Sequence, residues 1–208
     1  MKLWSPPGGK WPWVFLVVAL AAAVIQCNAS WRPWLVYDRT AVGHGEWWRL
    51  WTGHLVHFGW PHFVSDVGLW VILGFVFGRD QPWRFYAALA LLPVVITGAL
   101  YFFDPGMSRY GGLSAVNLTL LLVLAGQGWQ RDWKDWFWPA VLLIYVGELV
   151  LELTVKEGHG GGMIRFDEPN VHVATSAHIV AAACAVVFLL GKFTKRTPKP
   201  KPRAQAAS

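Results

Sequence analysis

Long apolar runs separated by short polar segments set the plan of this chain. Six runs approach the roughly 20 residues that a helix needs to cross a bilayer: 13–29, 61–78, 85–103, 112–128, 136–154 and 174–191. They carry few charges, so the pattern predicts an all-α membrane protein, a bundle of six transmembrane helices. Several runs lie near the lower length limit, and Pro93 is placed to kink the third. No segment repeats at a fixed period. Residues 1–191 read as one membrane domain and 192–208 as a basic tail, extended and solvated by its Lys199-Pro200-Lys201-Pro202-Arg203 run.

Composition agrees with this plan. Of the 208 residues, 55% are hydrophobic and 14% charged, against about 25% charged in ordinary soluble domains. Fifteen tryptophans suit a chain with two membrane–water interfaces. Cys27 and Cys184 both lie in apolar runs, which argues against a structural disulfide. The net charge of +6 does not point to nucleic acid, because six of the 18 basic residues lie between Lys192 and Arg203. Such a tail suits an anionic lipid surface.

The basic residues also set the orientation. With the N-terminus inside, the inner segments hold Lys2, Lys10, Arg79, Arg84, Arg131, Lys134 and the six of the tail. The outer segments hold Arg32, Arg39, Arg49, Arg109, Lys156 and Arg165. The excess places both termini in the cytoplasm, with the protein in the inner membrane. Met1-Lys2, the first apolar run and the small residues near Ala29 also fit a cleaved signal peptide, which would leave the later helices oriented as before.

All seven histidines (His44, His54, His57, His62, His159, His172 and His178) fall on the outer side or at outer helix ends. Polar chemistry is therefore expected in the outer half. In Tyr110-Gly111-Gly112-Leu113-Ser114-Ala115, Ser114 stands where the fourth helix enters from outside, among the free N–H groups of a helix N-terminus. It is either a cap after a glycine turn or a nucleophile beside oxyanion donors. A nucleophile needs a base, and His178, in Ala174-Thr175-Ser176-Ala177-His178, lies at similar depth on the sixth helix. The small Ala174, Ala177, Ala181 and Ala182 let helices approach closely. His62 and Asp66, four apart, share a face of the second helix. His62 can donate to an oxyanion or cap the helix and pair with Asp66. Asn117, one turn below Ser114, can supply an amide or bond between helices. Glu148 and Glu152 share a face of the fifth helix, and Glu152 can pair with Lys156. The outer segment 155–173, with Gly158, Gly160, Gly161 and Gly162, is expected to be mobile.

Together these pieces resemble the rhomboid intramembrane serine proteases. Gly45-Glu46-Trp47-Trp48-Arg49-Leu50-Trp51-Thr52, then His57-Phe58, then His62 with Asp66, is similar to their first loop and second helix. Gly112-Leu113-Ser114-Ala115 resembles their Gly-x-Ser-Gly motif and Ala177-His178 their sixth-helix Ala-His motif. Order, spacing and sidedness agree over residues 45–185. The six-helix form and the run from Trp48 to His62 resemble the rhombosortase branch, linked to proteins with a C-terminal tail of small residues including a Gly-Gly pair, an apolar helix and basic residues.

The resemblance implies a Ser114–His178 dyad with no acidic third member and no cofactor. It implies an oxyanion hole from the Ser114 N–H, His62 and position 66, with Gly112 giving close approach. It further implies a Glu46–Arg49 pair in a structural first loop, and a loop before the sixth helix acting as a cap. The implied activity is endoproteolysis of membrane-anchored proteins at the outer, periplasmic face. The sequence departs from the pattern at three places. Asp66 stands where the family has Asn, and a bare carboxylate repels an oxyanion; Asp66 is therefore protonated, turned away or paired with a histidine. Ala115 and Ala181 stand for glycines. The Asp66 departure sets up the main alternative, a pseudoprotease that binds membrane proteins without cutting them. A histidine-rich metal-binding protein is a further alternative, although no His-Glu-x-x-His pattern occurs. A transporter would call for broken helices at mid-membrane.

Overall fold

The computed structural model describes residues 11–78, 81–154 and 174–191, and in 137–154 it leaves out the side chains of 145, 146 and 148–154. The described chain is a helical bundle. Six long helices dominate: α1 (Trp13–Cys27), α5 (Trp60–Phe77), α6 (Trp83–Phe103), α7 (Ser114–Arg131), α8 (Phe137–Thr154) and α9 (Thr175–Gly191). Each falls within a few residues of an expected run. Three short helices, α2 (Arg32–Leu35), α3 (Arg39–Gly43) and α4 (Arg49–Thr52), fill the segment between α1 and α5. By length and composition α5 and α6 qualify as membrane spans among the described residues, and α1 does so together with the bent Ala29–Leu35 segment. α9, at 17 residues, is a shorter apolar helix.

The helix ends follow local chemistry. Pro61 occupies the first turn of α5, where its missing N–H costs nothing. Asp38 caps α3 by accepting from the Ala41 N–H at 3.0 Å. The chain turns by 98° after α1, so the first loop folds back across the bundle instead of leaving it. Arg49 pins that loop. Its guanidinium meets Glu46 at 2.6 Å and donates to the Pro33 and Val36 carbonyls at 2.7 and 2.8 Å. The expected Glu46–Arg49 pair is therefore present, on a loop held by a 5% exposed arginine. Trp51 donates to the Ala90 carbonyl and Thr97 to the Leu50 carbonyl, fastening α4 to α6 beside Pro93. Pro93 itself sits inside a helix that continues through it.

α7 is the centre of the bundle. Six successive residues, Ala115 to Leu120, are all buried, which requires neighbours on every face. α5, α6, α8 and α9 supply them. This explains how α7 carries Asn117 and Thr119 at membrane depth: protein, not lipid, surrounds them. The α7–α9 seam is close because Ala177, Ala181 and Ala185 recur every four residues on the buried face of α9. Thr119 bonds across it to the Ala181 carbonyl at 3.0 Å. The outward faces carry Val17, Leu20, Val64, Ile72, Leu91 and Val187, all exposed, as suits a bundle in lipid. One feature without a sequence signal is a two-residue antiparallel ladder, β1 (Tyr37–Asp38) with β2 (Arg109–Tyr110), pairing Tyr37 with Tyr110. It ties the first loop to the turn before α7.

Candidate active site

Three helices begin at one place. Ser114 is the first residue of α7, His178 lies in the first turn of α9 and His62 in the first turn of α5. Ser114 Oγ and His178 Nε2 are 3.4 Å apart. Both side chains are half-buried, so one side of the pair stays reachable. α9 is set in position by Ser176, whose hydroxyl donates to Asp104 Oδ2 at 2.6 Å, just past the C-terminus of α6.

The N-terminus of α7 has no side-chain cap, and its first helical bond runs from the Asn117 N–H to the Leu113 carbonyl. The Ser114 N–H thus belongs to the first turn, whose donors have no partner in the helix ladder. The approach to it is a strained glycine turn. Gly112 has φ +110°, and its N–H donates to the Gly53 carbonyl at 3.3 Å. A β-carbon at Gly112 would lie 2.6 Å from His62 Nε2 and 2.9 Å from Asp66 Oδ2. Gly111 is equally confined, with the Val56 carbonyl 2.7 Å from such an atom. The pair of glycines brings the backbone just before Ser114 against the His62–Asp66 face. Tyr110 closes the turn from below: its hydroxyl donates to the Gly112 carbonyl at 3.3 Å and meets the Ser114 side chain.

Asp66 is the position on which the chemistry turns. Of the three arrangements open to it, the structure has the histidine pairing, twice over. Oδ2 lies 3.1 Å from His62 Nε2 and 3.4 Å from His57 Nε2, with all three side chains buried. Neither approach has the alignment of a hydrogen bond. His62 is held from the other side, where its Nδ1 accepts the Phe58 N–H at 3.3 Å. Asn117 donates its amide to the Asp66 backbone carbonyl at 2.8 Å, an interhelical bond that locks α5 to α7. Of the two roles open to Asn117 in the sequence, this is the second.

Sequence reasoning named His57 without giving it a function. The signal was present, since His57, His62 and Asp66 fall within ten residues, but the loop that turns His57 inward carries no periodicity to read. His54 is similar. It is buried, its Nε2 lies 3.1 Å from the Pro93 carbonyl, and burial lowers its pKa to about 4. Glu148 and Glu152 have their side chains outside the described residues, as do Lys156, His159, His172 and the glycine-rich 155–173 segment. Among the described residues no cluster of three His, Cys, Asp or Glu side chains could hold a metal ion.

A serine at a helix N-terminus, a histidine 3.4 Å from it and a second histidine beside the preceding glycine turn make this the candidate site of the described residues. Residues 44–195 match a family model described as Rhomboid domain. The chain therefore belongs to the rhomboid family, whose members are in general intramembrane serine proteases acting on membrane proteins. No curated protein matches it.

Proposed function

We propose that this protein is an intramembrane serine endopeptidase in which Ser114 is the nucleophile and His178 its general base. The observation that carries the reading is the 3.4 Å approach of His178 Nε2 to Ser114 Oγ at two helix N-termini. Nε2 takes the Ser114 proton as Oγ attacks a peptide carbonyl, and His178 then returns that proton to the leaving amine. In this reading the Ser114 N–H and His62 Nε2 donate to the oxyanion. Gly112 keeps the space between them clear. Asn117 and Asp66 position the α5 side of the pocket.

The substrate is a membrane-anchored protein cut near the outer face, with both termini of this chain cytoplasmic and the membrane domain crossing six times. The resemblance of the 48–62 run to the rhombosortase branch supports a narrower reading, removal of C-terminal Gly-Gly-type anchoring tails. A second reading has one observation in its favour: the Asp66 carboxylate beside the pocket would oppose an oxyanion if its charge stood alone, as in a pseudoprotease that binds without cutting.

Fluorophosphonate labelling of the detergent-solubilised protein separates the two. Wild type is expected to label. Ser114→Ala is expected to abolish the label, and His178→Ala to slow it by at least about a thousandfold, the usual scale for losing a dyad member. A wild type as inert as Ser114→Ala would support the pseudoprotease.

A further inference from the structure

His57 is an unusual histidine to find where it is. It is fully buried, and neither ring nitrogen makes a hydrogen bond among the described residues. Apolar burial alone does not account for an imidazole there, since polar atoms that lose water need a partner in exchange. The partner the structure gives it is Asp66, whose Oδ2 lies 3.4 Å from Nε2. Around the pair stand the edge of His62, with ring centroids 5.1 Å from His57, and the edge of Phe63 at 5.5 Å.

A buried carboxylate needs a compensating charge. Among the described residues, the titratable groups around this one are His57 and His54 from the first loop, His62 from α5 itself and Tyr110 from β2, with the Ser114 hydroxyl beside Tyr110. α1 contributes the buried, uncharged Gln26 beside the His57 backbone. His62 Nδ1 accepts an N–H, so that nitrogen bears no proton and the ring is neutral. His54 is neutral near pH 7, held there by burial, with its Nε2 against the Pro93 carbonyl. Tyr110 and Ser114 carry no positive charge in any form. Among the described residues, His57 is the remaining group that can supply one. An imidazole is a stronger base than a carboxylate, so a proton shared by the two in contact rests on the ring.

We propose that His57 is a positioning residue that carries the counter-charge of Asp66, so that the two act as one neutral unit beside the oxyanion pocket. This rests on the protease reading above. The pair answers the objection to a carboxylate at that position. A neutral amide there would leave an oxyanion unopposed; a carboxylate coupled to an imidazolium does the same at a distance, and keeps the His62 ring oriented from its Nε2 side. Through Asp66, His57 thus acts on a pocket it does not itself touch.

The test is a four-variant square of fluorophosphonate labelling rates across pH 5.5–9: wild type, His57→Gln, Asp66→Asn and the double variant. His57→Gln is expected to slow labelling about a hundredfold, the size of one disabled oxyanion donor. The double variant is expected to recover to within about twofold of Asp66→Asn, because removing the carboxylate removes the need for its counter-charge. Wild type is expected to show a pH dependence that Asp66→Asn lacks, because only wild type holds the pair. A double variant as slow as His57→Gln, or His57→Gln as fast as wild type, would overturn the inference. If His57→Gln fails to fold, recovery of a cooperative melt in the double variant carries the same meaning as recovery of rate. If wild type does not label, the protease reading falls, and imidazole 15N shifts decide the pairing alone: an imidazolium at His57 near pH 7 that turns neutral in Asp66→Asn supports it, and a neutral ring in both overturns it.

Discussion

Gly112 shows how tightly single residues are constrained at this site. Its φ of +110° is disfavoured for any residue with a side chain, and an added β-carbon would meet His62 and Asp66 within 3 Å. Those neighbours are buried and held, so they cannot yield cheaply. Gly112→Ala is expected to cost about 1–3 kcal/mol of stability and to cut labelling of Ser114 about a hundredfold by displacing His62. Gly98→Ala is the control: Gly98 lies in α6 with nothing within 4 Å of the added atom, so it should gain roughly 0.5–1 kcal/mol of helix propensity and keep its rate. Equal labelling by the two variants would show that the strained turn has no part in the chemistry. Residues of this kind were partly legible in the sequence. Ser114 and His178 could be read because each sits at a helix start beside small residues, a local signal. The pairing of His57 with Asp66 could not, because it depends on how an aperiodic loop folds against α5.

At the level of elements, the site exists because α7 and α9 lie close enough for two short side chains to meet. Ala177 and Ala181, at most 0% exposed, form the seam with α7, and Thr119 reaches the Ala181 carbonyl across it. The register of that seam sets the 3.4 Å between Ser114 and His178. Ala181→Leu adds three carbons where no space remains and must push the helices apart. Overpacking of this kind costs about 1–3 kcal/mol, and a shift of about 1 Å between reacting groups is enough for a hundredfold loss of rate. The expected outcome is a folded protein with a lower melting temperature and nearly abolished labelling. Ala182→Leu, one position round the helix, should label more like the wild type. A full rate in Ala181→Leu would mean that the seam does not set the distance between Ser114 and His178. The helices themselves were legible from apolar runs, with ends displaced by a few residues: the fourth starts at Ser114 instead of 112 and runs on to Arg131. The first loop was not. Its 98° bend and its ladder with β2 arise from long-range bonds made by Arg49, Thr52 and Gly112, and such bonds leave no periodic trace.

Across the whole molecule, the N-terminal ends of α5, α7 and α9 come together: His62, Ser114 and His178 lie in first turns, His178 meets Ser114 and Gly112, two residues before Ser114, abuts His62. Helix N-termini carry partial positive charge, so three of them facing one point favour a developing anion there before any side chain contributes. This arrangement requires the three helices to run in the same sense, and therefore the intervening turns to lie on opposite sides of the bundle. Trp47, in the loop preceding α4, and Trp133, in the turn between α7 and α8, mark those two sides, and both are well exposed. The inside bias of basic residues predicts that the second turn, which carries Arg131 and Lys134, faces the cytoplasm. In a background of Cys27→Ser and Cys184→Ser, a membrane-impermeant maleimide should label Trp47→Cys in right-side-out vesicles and Trp133→Cys in inverted ones. The reverse pattern would put the pocket on the cytoplasmic face and exclude substrates cut outside. Labelling of both positions from one side would separate the helix directions from the site geometry, and the convergence of N-termini could no longer explain where the oxyanion is stabilised.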